Sequence, residues 1–241
     1  MTETIDLMKQ HSSVRSFTNE QISDEDLRSI LDAGRSASSW KNFQSYSIIV
    51  VRNQEKKEAL FRLVPQEAIR QSSVFLFFVG DLNRAEKGVK EHTDNFYPQG
   101  IENLLISSVD ASLVAQNTLL AAESLGYGGV MIGVLRDVSK EVAKLFDLPD
   151  YTYPVMGMAL GKPATKPSVK PRLPYETVVF EENYQIQDSS VIQAYDRVQL
   201  NYAAGRVQES WSQRLANQFG LEPSLASQEN LEEKKTKHTQ H

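Results

Sequence analysis

Three groups of polar residues along the chain have side chains that can bind an anion or another polar ligand. The first group is His11, Ser13 and Arg15, in the stretch HSSVRSF. Side chains at alternating positions of an extended segment point to the same side, so these three can offer hydroxyl and cationic donors to one ligand. Taken alone, so short a stretch is more often a polar turn between two helices.

The second group lies in a proline-rich segment, KPATKPSVKPRLP, at residues 162–174. Its prolines exclude a helix and favour a stiff, extended loop that carries Lys170 and Arg172. A solvated basic loop is the ordinary interpretation of such a segment. Two separated donor groups in an acidic protein also suit one phosphate held from both sides, because charge-assisted and bidentate hydrogen bonds to phosphate are strong.

The third group is in SASSWKNFQSYS, residues 36–47, and includes Ser38, Ser39 and Asn42. It directly precedes a predicted strand, so a polar helix-to-strand turn explains it equally well. The same hydroxyls and amides can instead bind the polar chain or the heterocycle edge of a ligand.

The composition excludes several other kinds of chemistry. The 241 residues include no cysteine, which excludes disulfides, thiolate nucleophiles, iron–sulfur clusters and cysteine-ligated zinc. The four histidines are too scattered to predict a metal site, and a net charge of −5 argues against a nucleic-acid partner. The first residues, MTETIDLMKQ, lack the features of a signal peptide, and no apolar stretch has the length of a membrane helix. We therefore expect a cytoplasmic protein.

The polar groups must be positioned by helices and strands, which the apolar pattern predicts in alternation. Ser23 and Ser139 are the predicted caps of two of the helices. The helix at 109–125 is expected to be central and mostly buried, and Gly126 is expected to end it in the left-handed conformation. Strands 46–51 and 73–81 are expected to be buried, the second of them on both faces. The predicted helices are 22–37, 54–64, 109–125 and 139–149, and the predicted strands are 46–51, 73–81, 128–133 and 153–161.

The last quarter of the chain is mostly polar. It is predicted to be helical with Trp211 and Phe219 as its larger apolar anchors, and residues 230–241 are expected to fray. No linker divides the chain. We therefore predict a single domain over residues 1–241, with a polar C-terminal extension at about residues 186–241 that packs on a partner subunit or frays.

Four stretches together resemble a known family. HSSVRSF, SASSWKNFQ, LGYGGVMIG and KPSVKPRLP, in this order and spacing, are similar to the FMN-dependent nitroreductase and flavin reductase family, in particular its larger NADPH-using branch. The resemblance covers about residues 4 to 185 and continues more weakly through SWSQRL. It implies an α+β fold with a central mixed sheet wrapped by helices, in an intertwined homodimer with two active sites at the interface.

The resemblance also implies roles for individual residues toward FMN. Arg15 would lie near the pyrimidine side of the flavin, where a cation stabilises the charge of the reduced ring. The sequence departs from the family at Trp40 and Lys41, where serines are often found, and at Val64 and Pro65, where glycines usually precede the glutamine. The phosphate ligands would be His11, Ser13, Lys170 and Arg172; the ribityl and ring contacts would come from Ser38, Ser39, Asn42, Gln66 and the backbone amides of Gly128 and Gly129.

The activity implied by the resemblance is hydride transfer through FMN by a ping-pong scheme that requires no protein acid or base. The donor would be NADPH or NADH, with Arg206 on the 2′-phosphate, although YAAGRVQESW could equally be a turn at Gly205. The acceptors would be nitroaromatics, quinones, azo compounds, free flavin or dioxygen. Two alternatives remain: a flavin reductase or peroxide-forming oxidase with the same cofactor, and a non-catalytic flavin-binding protein.

Overall fold

The computed structural model describes residues 2–220, which form two compact units, residues 2–167 and residues 168–220. The first unit contains one sheet and helices α1 to α7, and the second contains helices α8 to α10. In chain order α1 to α10 are Glu3–Lys9, Asp24–Arg35, Gln54–Leu63, Glu67–Gln71, Asn83–Lys90, Ile101–Ser124, Ser139–Leu145, Tyr175–Val178, Ser189–Ala203 and Trp211–Phe219. Strands β1 to β4 are Tyr46–Val51, Val74–Asp81, Gly128–Ile132 and Thr152–Gly161.

The four strands form a sheet in the order β1-β2-β4-β3. All three strand pairings are antiparallel, which corrects the expectation of a mixed sheet while the α+β class is confirmed. Strand β2 is buried along its whole length, as its continuous apolar sequence predicts. Strand β1 lies at the edge of the sheet, so the prediction that it is buried is only partly right, and Val50 is exposed.

Helices cover both faces of the sheet. Leu76 and Phe78 of β2 pack in one apolar cluster with residues of α2 and α6. Phe75 and Phe77 point to the opposite face, because successive side chains of a strand alternate, and pack with residues of α3, α4 and α7. The sheet is therefore the middle layer of the first unit, and α6 is the long helix on one side of it.

Helix α6 begins at Ile101, eight residues before the predicted start at Val109. Its inner face is buried against α2 and the sheet, but its outer face is not. Four apolar residues at four-residue spacing are between 43% and 72% exposed, which corrects the expectation of a mostly buried helix. We call them the apolar stripe: Ile101, Leu105, Val109 and Leu113. Helix α6 is long and apolar enough to span a membrane, but core helices of soluble proteins can have the same length and composition.

The predicted helix ends are mostly confirmed. The Ser23 hydroxyl accepts a hydrogen bond from the Asp26 backbone N–H at 3.0 Å and caps α2. Gly126 follows α6 with φ +80°, the left-handed conformation that glycine adopts without strain. The prediction that Ser139 caps α7 is wrong, because Ser139 is the first residue of the helix and Val138 occupies the cap position.

The second unit is built around α9. The Tyr195 hydroxyl donates to the Pro171 carbonyl at 2.9 Å, and the Tyr202 hydroxyl donates to the Ser168 carbonyl at 2.8 Å, so α9 holds residues 168–171. The Trp211 ring packs edge-on against Tyr195 with 5.3 Å between centroids, as expected of an anchor. Phe219 is 77% exposed in the single chain, so its role as an anchor stays a prediction. The predicted fraying at 230–241 lies outside the described residues.

Candidate active site

The segment that follows α1 has the alternating geometry that the sequence predicts. Ser12 and Val14 are buried, whereas His11, Ser13 and Arg15 are directed away from the core. The backbone of the segment is held on the first unit, because the Val14 N–H donates to the Gly129 carbonyl of β3 at 2.9 Å. His11, Ser13 and Arg15 therefore form one polar surface beside the edge strand β3.

The same segment pairs with the start of the proline-rich loop. The Thr18 N–H donates to the Lys162 carbonyl at 2.9 Å, and the Ala164 N–H donates to the Ser16 carbonyl at 3.0 Å. This short antiparallel pairing brings the beginning of the basic loop, far away in sequence, next to HSSVRSF. It ends at Ala164, before the cations Lys170 and Arg172, which belong to the second unit.

Gly128 and Gly129 are buried where the N-terminal segment crosses β3. A β-carbon on Gly128 would lie 2.6 Å from Cγ2 of Val14, and one on Gly129 would lie 2.9 Å from the Ala159 carbonyl oxygen. Glycine is thus required by close packing inside the protein. Because the Gly129 carbonyl points at Val14, and the N–H and C=O of a strand residue point to the same side, the Gly129 N–H faces the N-terminal segment as well.

His11 makes one close polar contact. Its Nδ1 atom lies 2.6 Å from Oε1 of Glu123, in the last turn of α6, and the two side chains are 26% and 11% exposed. Glu123 is not among the site residues predicted from the sequence. A signal was present: a carboxylate in the last turn of a helix opposes the negative end of the helix dipole and is disfavoured unless a donor compensates it.

Ser13 and Arg15 lie beside His11 with donors to spare. Arg15 is exposed, and its Nη1 atom donates to the Ser13 carbonyl at 3.3 Å, which keeps the guanidinium close to this surface. Within residues 2–220, neither the Ser13 hydroxyl nor Nε2 of His11 has a hydrogen-bond partner. The Ser13 hydroxyl can therefore donate to a ligand oxygen, and Nε2 of His11 can do so in the imidazolium form, in which both ring nitrogens carry a proton.

The serine-rich segment has an unusual backbone. Lys41, Asn42 and Gln44 have φ values of +48°, +58° and +53°, in the left-handed region that side chains disfavour. The Ser39 hydroxyl accepts from the Gln44 N–H at 3.3 Å inside the segment, and Ser38 and Asn42 are exposed. Such a backbone persists only where the surrounding structure holds it in place.

Asp110 of α6 is the residue that holds this segment. The residue is 1% exposed, and its Oδ1 and Oδ2 atoms accept from the backbone N–H groups of Trp40 at 2.9 Å and Ser45 at 3.0 Å. The carboxylate thus clamps both ends of the turn that carries the left-handed residues. Asp110 is likewise not among the predicted site residues, although an acidic residue between the apolar residues of a helix is itself a signal.

The two polar segments are fixed at different positions along α6. Asp110 and Glu123 are thirteen residues apart, which corresponds to about 20 Å of helix. Within one chain the structure therefore does not bring the serine-rich segment and His11 to the same place. Gln66, the remaining predicted residue of the first unit, is exposed at the cap position of α4, where its backbone carbonyl accepts from the Ile69 N–H at 2.9 Å.

The predicted residues of the second unit lie on exposed backbone. Lys170 and Arg172 flank Pro171, and Nη1 of Arg172 donates to the Lys170 carbonyl at 3.1 Å. Arg206 has a structural role: its Nε and Nη2 atoms donate to the Ala203 and Tyr202 carbonyls, both at 2.9 Å, at the end of α9. The guanidinium caps this helix, as cations near a helix C-terminus commonly do.

Comparison with known proteins identifies relatives for almost the whole chain. The family model described as "Nitroreductase family" matches residues 8–162, and the model "Nitroreductase family, C-terminal domain" matches residues 170–237.

Two curated relatives and one solved structure are similar to this chain along almost its full length. "FMN reductase [NAD(P)H]" of Bacillus subtilis is 37% identical over 228 residues, which cover 91% of this chain and 92% of that protein. "Oxygen-insensitive NADPH nitroreductase" of Salmonella typhimurium is 37% identical over 227 residues, with 89% and 90% covered. The structure of NADPH:FMN oxidoreductase from Vibrio harveyi complexed with NAD+ superposes with a TM-score of 0.87 at 35% identity, covering 97% of this chain and 98% of that one.

Proposed function

Because the chain belongs to the nitroreductase family and is an oxidoreductase, we propose that it uses FMN in the cytoplasm to pass hydride from NADPH or NADH to an electron acceptor. The observation that carries the proposal is the surface formed by His11, Ser13 and Gly129, which the hydrogen bond between Val14 and Gly129 assembles beside β3. When bound, FMN supplies the hydride chemistry, and the protein binds and orients it.

The donor set of this surface fits a phosphate monoester. Nε2 of His11 and the Ser13 hydroxyl have no partner in the described chain, and a phosphate oxygen accepts from the hydroxyl and from the Nε2 proton of the imidazolium form. Lys170 and Arg172 add two cations on a stiff backbone, of which Arg172 can bind the phosphate bidentately. These four residues would hold the phosphate.

The residues next to this surface fit the flavin ring. Arg15, whose guanidinium stays close to Ser13, would supply a cation near the pyrimidine side of the bound ring, and the Gly129 N–H faces the segment that carries His11 and Ser13. We assign Gly128, Gly129 and Gln66 to the ring, and Ser38, Ser39 and Asn42 to the ribityl chain and ring edge. All these residues bind the cofactor, and hydride transfer through FMN requires no acid or base from the protein.

We further propose that the enzyme is a homodimer. The apolar stripe on α6 is exposed in the single chain, and burying its large side chains against a second copy would be favourable. A second copy also overcomes the separation of about 20 Å between the anchors Asp110 and Glu123, because one copy's serine-rich segment can approach the other copy's His11. Each active site would then contain residues of both subunits.

Nitroaromatics, quinones and free flavin are the proposed acceptors. One relative is named an FMN reductase and another a nitroreductase, so both free flavin and nitroaromatics have support. The choice between NADPH and NADH is less well supported. Two donors of Arg206 are already bound to the end of α9, so at most part of its guanidinium is left for a 2′-phosphate, and we expect only a modest preference for NADPH.

The test starts from the purified full chain, reconstituted with an excess of FMN and FAD together. We expect a yellow protein that releases FMN on denaturation, and anaerobic bleaching of the bound flavin by NADPH. Recovery of FAD, or of no flavin, would contradict the cofactor assignment. Flavin that stays oxidised with excess NADPH and NADH would contradict the enzyme activity. Turnover with a nitroaromatic, a quinone and free FMN then ranks the acceptors.

A second measurement tests the dimer. Leu113→Lys places a charge at the C-terminal end of the apolar stripe, so light scattering should change from dimer to monomer, and FMN affinity should fall with it. Val50→Lys is the matched control, because Val50 is similarly exposed but lies on β1. A monomeric wild-type protein with full FMN affinity would show that one chain completes the site.

A further inference from the structure

We propose that Glu123 is a positioning residue, which fixes the His11 ring so that its Nε2 atom faces the phosphate of the flavin. The inference rests on the proposed function, since it assumes that FMN binds at His11. It adds a residue outside the binding surface, on a helix that no resembling motif of the sequence includes.

The first step is the geometry of the His11 ring. The backbone on both sides of His11 is fixed, by the helix α1 that precedes it and by the bond from Val14 to Gly129. What remains free is the rotation of the imidazole. The contact of 2.6 Å between Nδ1 and Oε1 of Glu123 removes this freedom, because a carboxylate at that distance binds the Nδ1 proton in a charge-assisted hydrogen bond.

The second step is the identity of the atom left for the ligand. The two ring nitrogens of histidine diverge from each other, so a ring whose Nδ1 is bound to α6 directs Nε2 away from that helix. Nε2 has no partner in residues 2–220, and in the imidazolium form it carries a proton that it can donate to a phosphate oxygen. Carboxylates that bind the second nitrogen of a ligating histidine act in the same way in metal sites, where they set both ring orientation and basicity.

The third step is the position of Glu123 itself. The residue lies in the last turn of α6, where the partial negative charge of the helix end opposes a carboxylate. The Glu123 carboxylate is only 11% exposed and lies at an unfavourable helix position. Among the described residues it forms its ion pair with the His11 imidazole alone.

The experiment compares FMN with riboflavin, which has the same ring and ribityl chain but no phosphate. The full chain is freed of flavin, and both dissociation constants are measured by fluorescence quenching for six proteins: wild type, Glu123→Ala, Glu123→Gln, His11→Ala, the double variant Glu123→Ala/His11→Ala, and Glu102→Gln. The last is the control, because it removes the same charge from an exposed position on the same helix.

We expect Glu123→Ala to weaken FMN binding about tenfold, the effect of losing one hydrogen bond to a charged group. Glu123→Gln should weaken it about threefold, because the glutamine oxygen still accepts from Nδ1 without the charge. Riboflavin binding should change by less than about twofold in every variant. In the His11→Ala background, removal of Glu123 should have no further effect on FMN, since the residue acts through the imidazole.

Three results would overturn the inference. The first is an unchanged FMN dissociation constant in folded Glu123→Ala or, if that variant does not fold, in Glu123→Gln. The second is equal weakening of FMN and riboflavin, which would make Glu123 a structural residue only. The third is an effect of Glu123→Ala that persists without His11. A wild-type protein that binds neither flavin would instead remove the proposed function, and the inference with it.

Discussion

The serine-rich segment and the segment after α1 are both polar loops held by one carboxylate of α6, but the two carboxylates bind different things. Asp110 accepts two backbone N–H groups and fixes the path of the main chain around the left-handed residues. Glu123 accepts from a side chain whose backbone is already fixed by β3. Asp110 therefore determines whether its loop has a defined shape, whereas Glu123 determines only where one ring points.

The largest expected effect is on the Asp110 side of this comparison. Asp110→Ala leaves the N–H groups of Trp40 and Ser45 without their acceptor, so the unfolding free energy should fall by about 3 kcal/mol. Urea denaturation of the wild type and the variant measures this change in unfolding free energy. The exposed Asp94→Ala should cost less than about 0.5 kcal/mol. A stability loss in Asp110→Ala no larger than in this control would show that the loop holds itself.

The next effect concerns the phosphate. Arg172→Ala should weaken FMN binding by about 2 kcal/mol without changing riboflavin binding, because it removes a charged, bidentate donor. Lys162→Ala is the control: Lys162 lies over the Tyr127 ring at the start of the loop and should contribute little to affinity. If FMN affinity survives in Arg172→Ala, the second unit does not supply the phosphate cations, and the His11 surface must bind the phosphate alone.

A smaller effect is expected from a substitution that disturbs the packing of the segment after α1, which carries His11, against β3. Gly128→Ala brings a methyl group 2.6 Å from Cγ2 of Val14 and should cost about 1.5 kcal/mol of unfolding free energy. It should weaken FMN binding too, because the segment that carries His11 and Ser13 must shift. Gly88→Ala on α5, where a β-carbon meets nothing within 4 Å, should instead stabilise the protein slightly. Equal stabilities of the two variants would mean that the segment is not seated on β3.

The smallest effect lies outside both loops. Arg206→Ala should raise the KM for NADPH about fivefold and leave the KM for NADH unchanged, if the guanidinium has a donor to spare for the 2′-phosphate. Because two of its donors bind the end of α9, the alternative is a purely structural role. Equal increases with both nicotinamides in steady-state kinetics would establish that alternative and place 2′-phosphate recognition elsewhere.

Local patterns were sufficient for the elements that position the site. The apolar run of β2, the Ser23 cap of α2 and the left-handed Gly126 follow from features within a few residues of each other, and all are confirmed. The alternation of buried and outward-facing residues from His11 to Arg15 was predictable for the same reason. The start of α6 was missed because its first two turns mix polar residues with the apolar stripe.

The two carboxylates could not be found in this way, because their partners are distant in sequence. Asp110 binds the backbone of residue 40, and Glu123 binds residue 11, so each contact exists only after α6 has packed against the sheet. The reason for Gly128 and Gly129 also depends on contacts between residues that are distant in sequence. The resemblance of these two glycines to family residues suggested a close approach to flavin, whereas the structure adds an intramolecular reason, the seating of Val14.

A single continuous helix carries both anchors, and this limits which changes of length the chain can accept. Each residue of an α-helix adds about 1.5 Å of rise and about 100° of rotation. One residue inserted or deleted between Asp110 and Glu123 would therefore turn one carboxylate away from its loop while the other stayed in place. Residues 111–122 can change in type on the outer face, but their number is fixed by two loops that never touch each other along this helix.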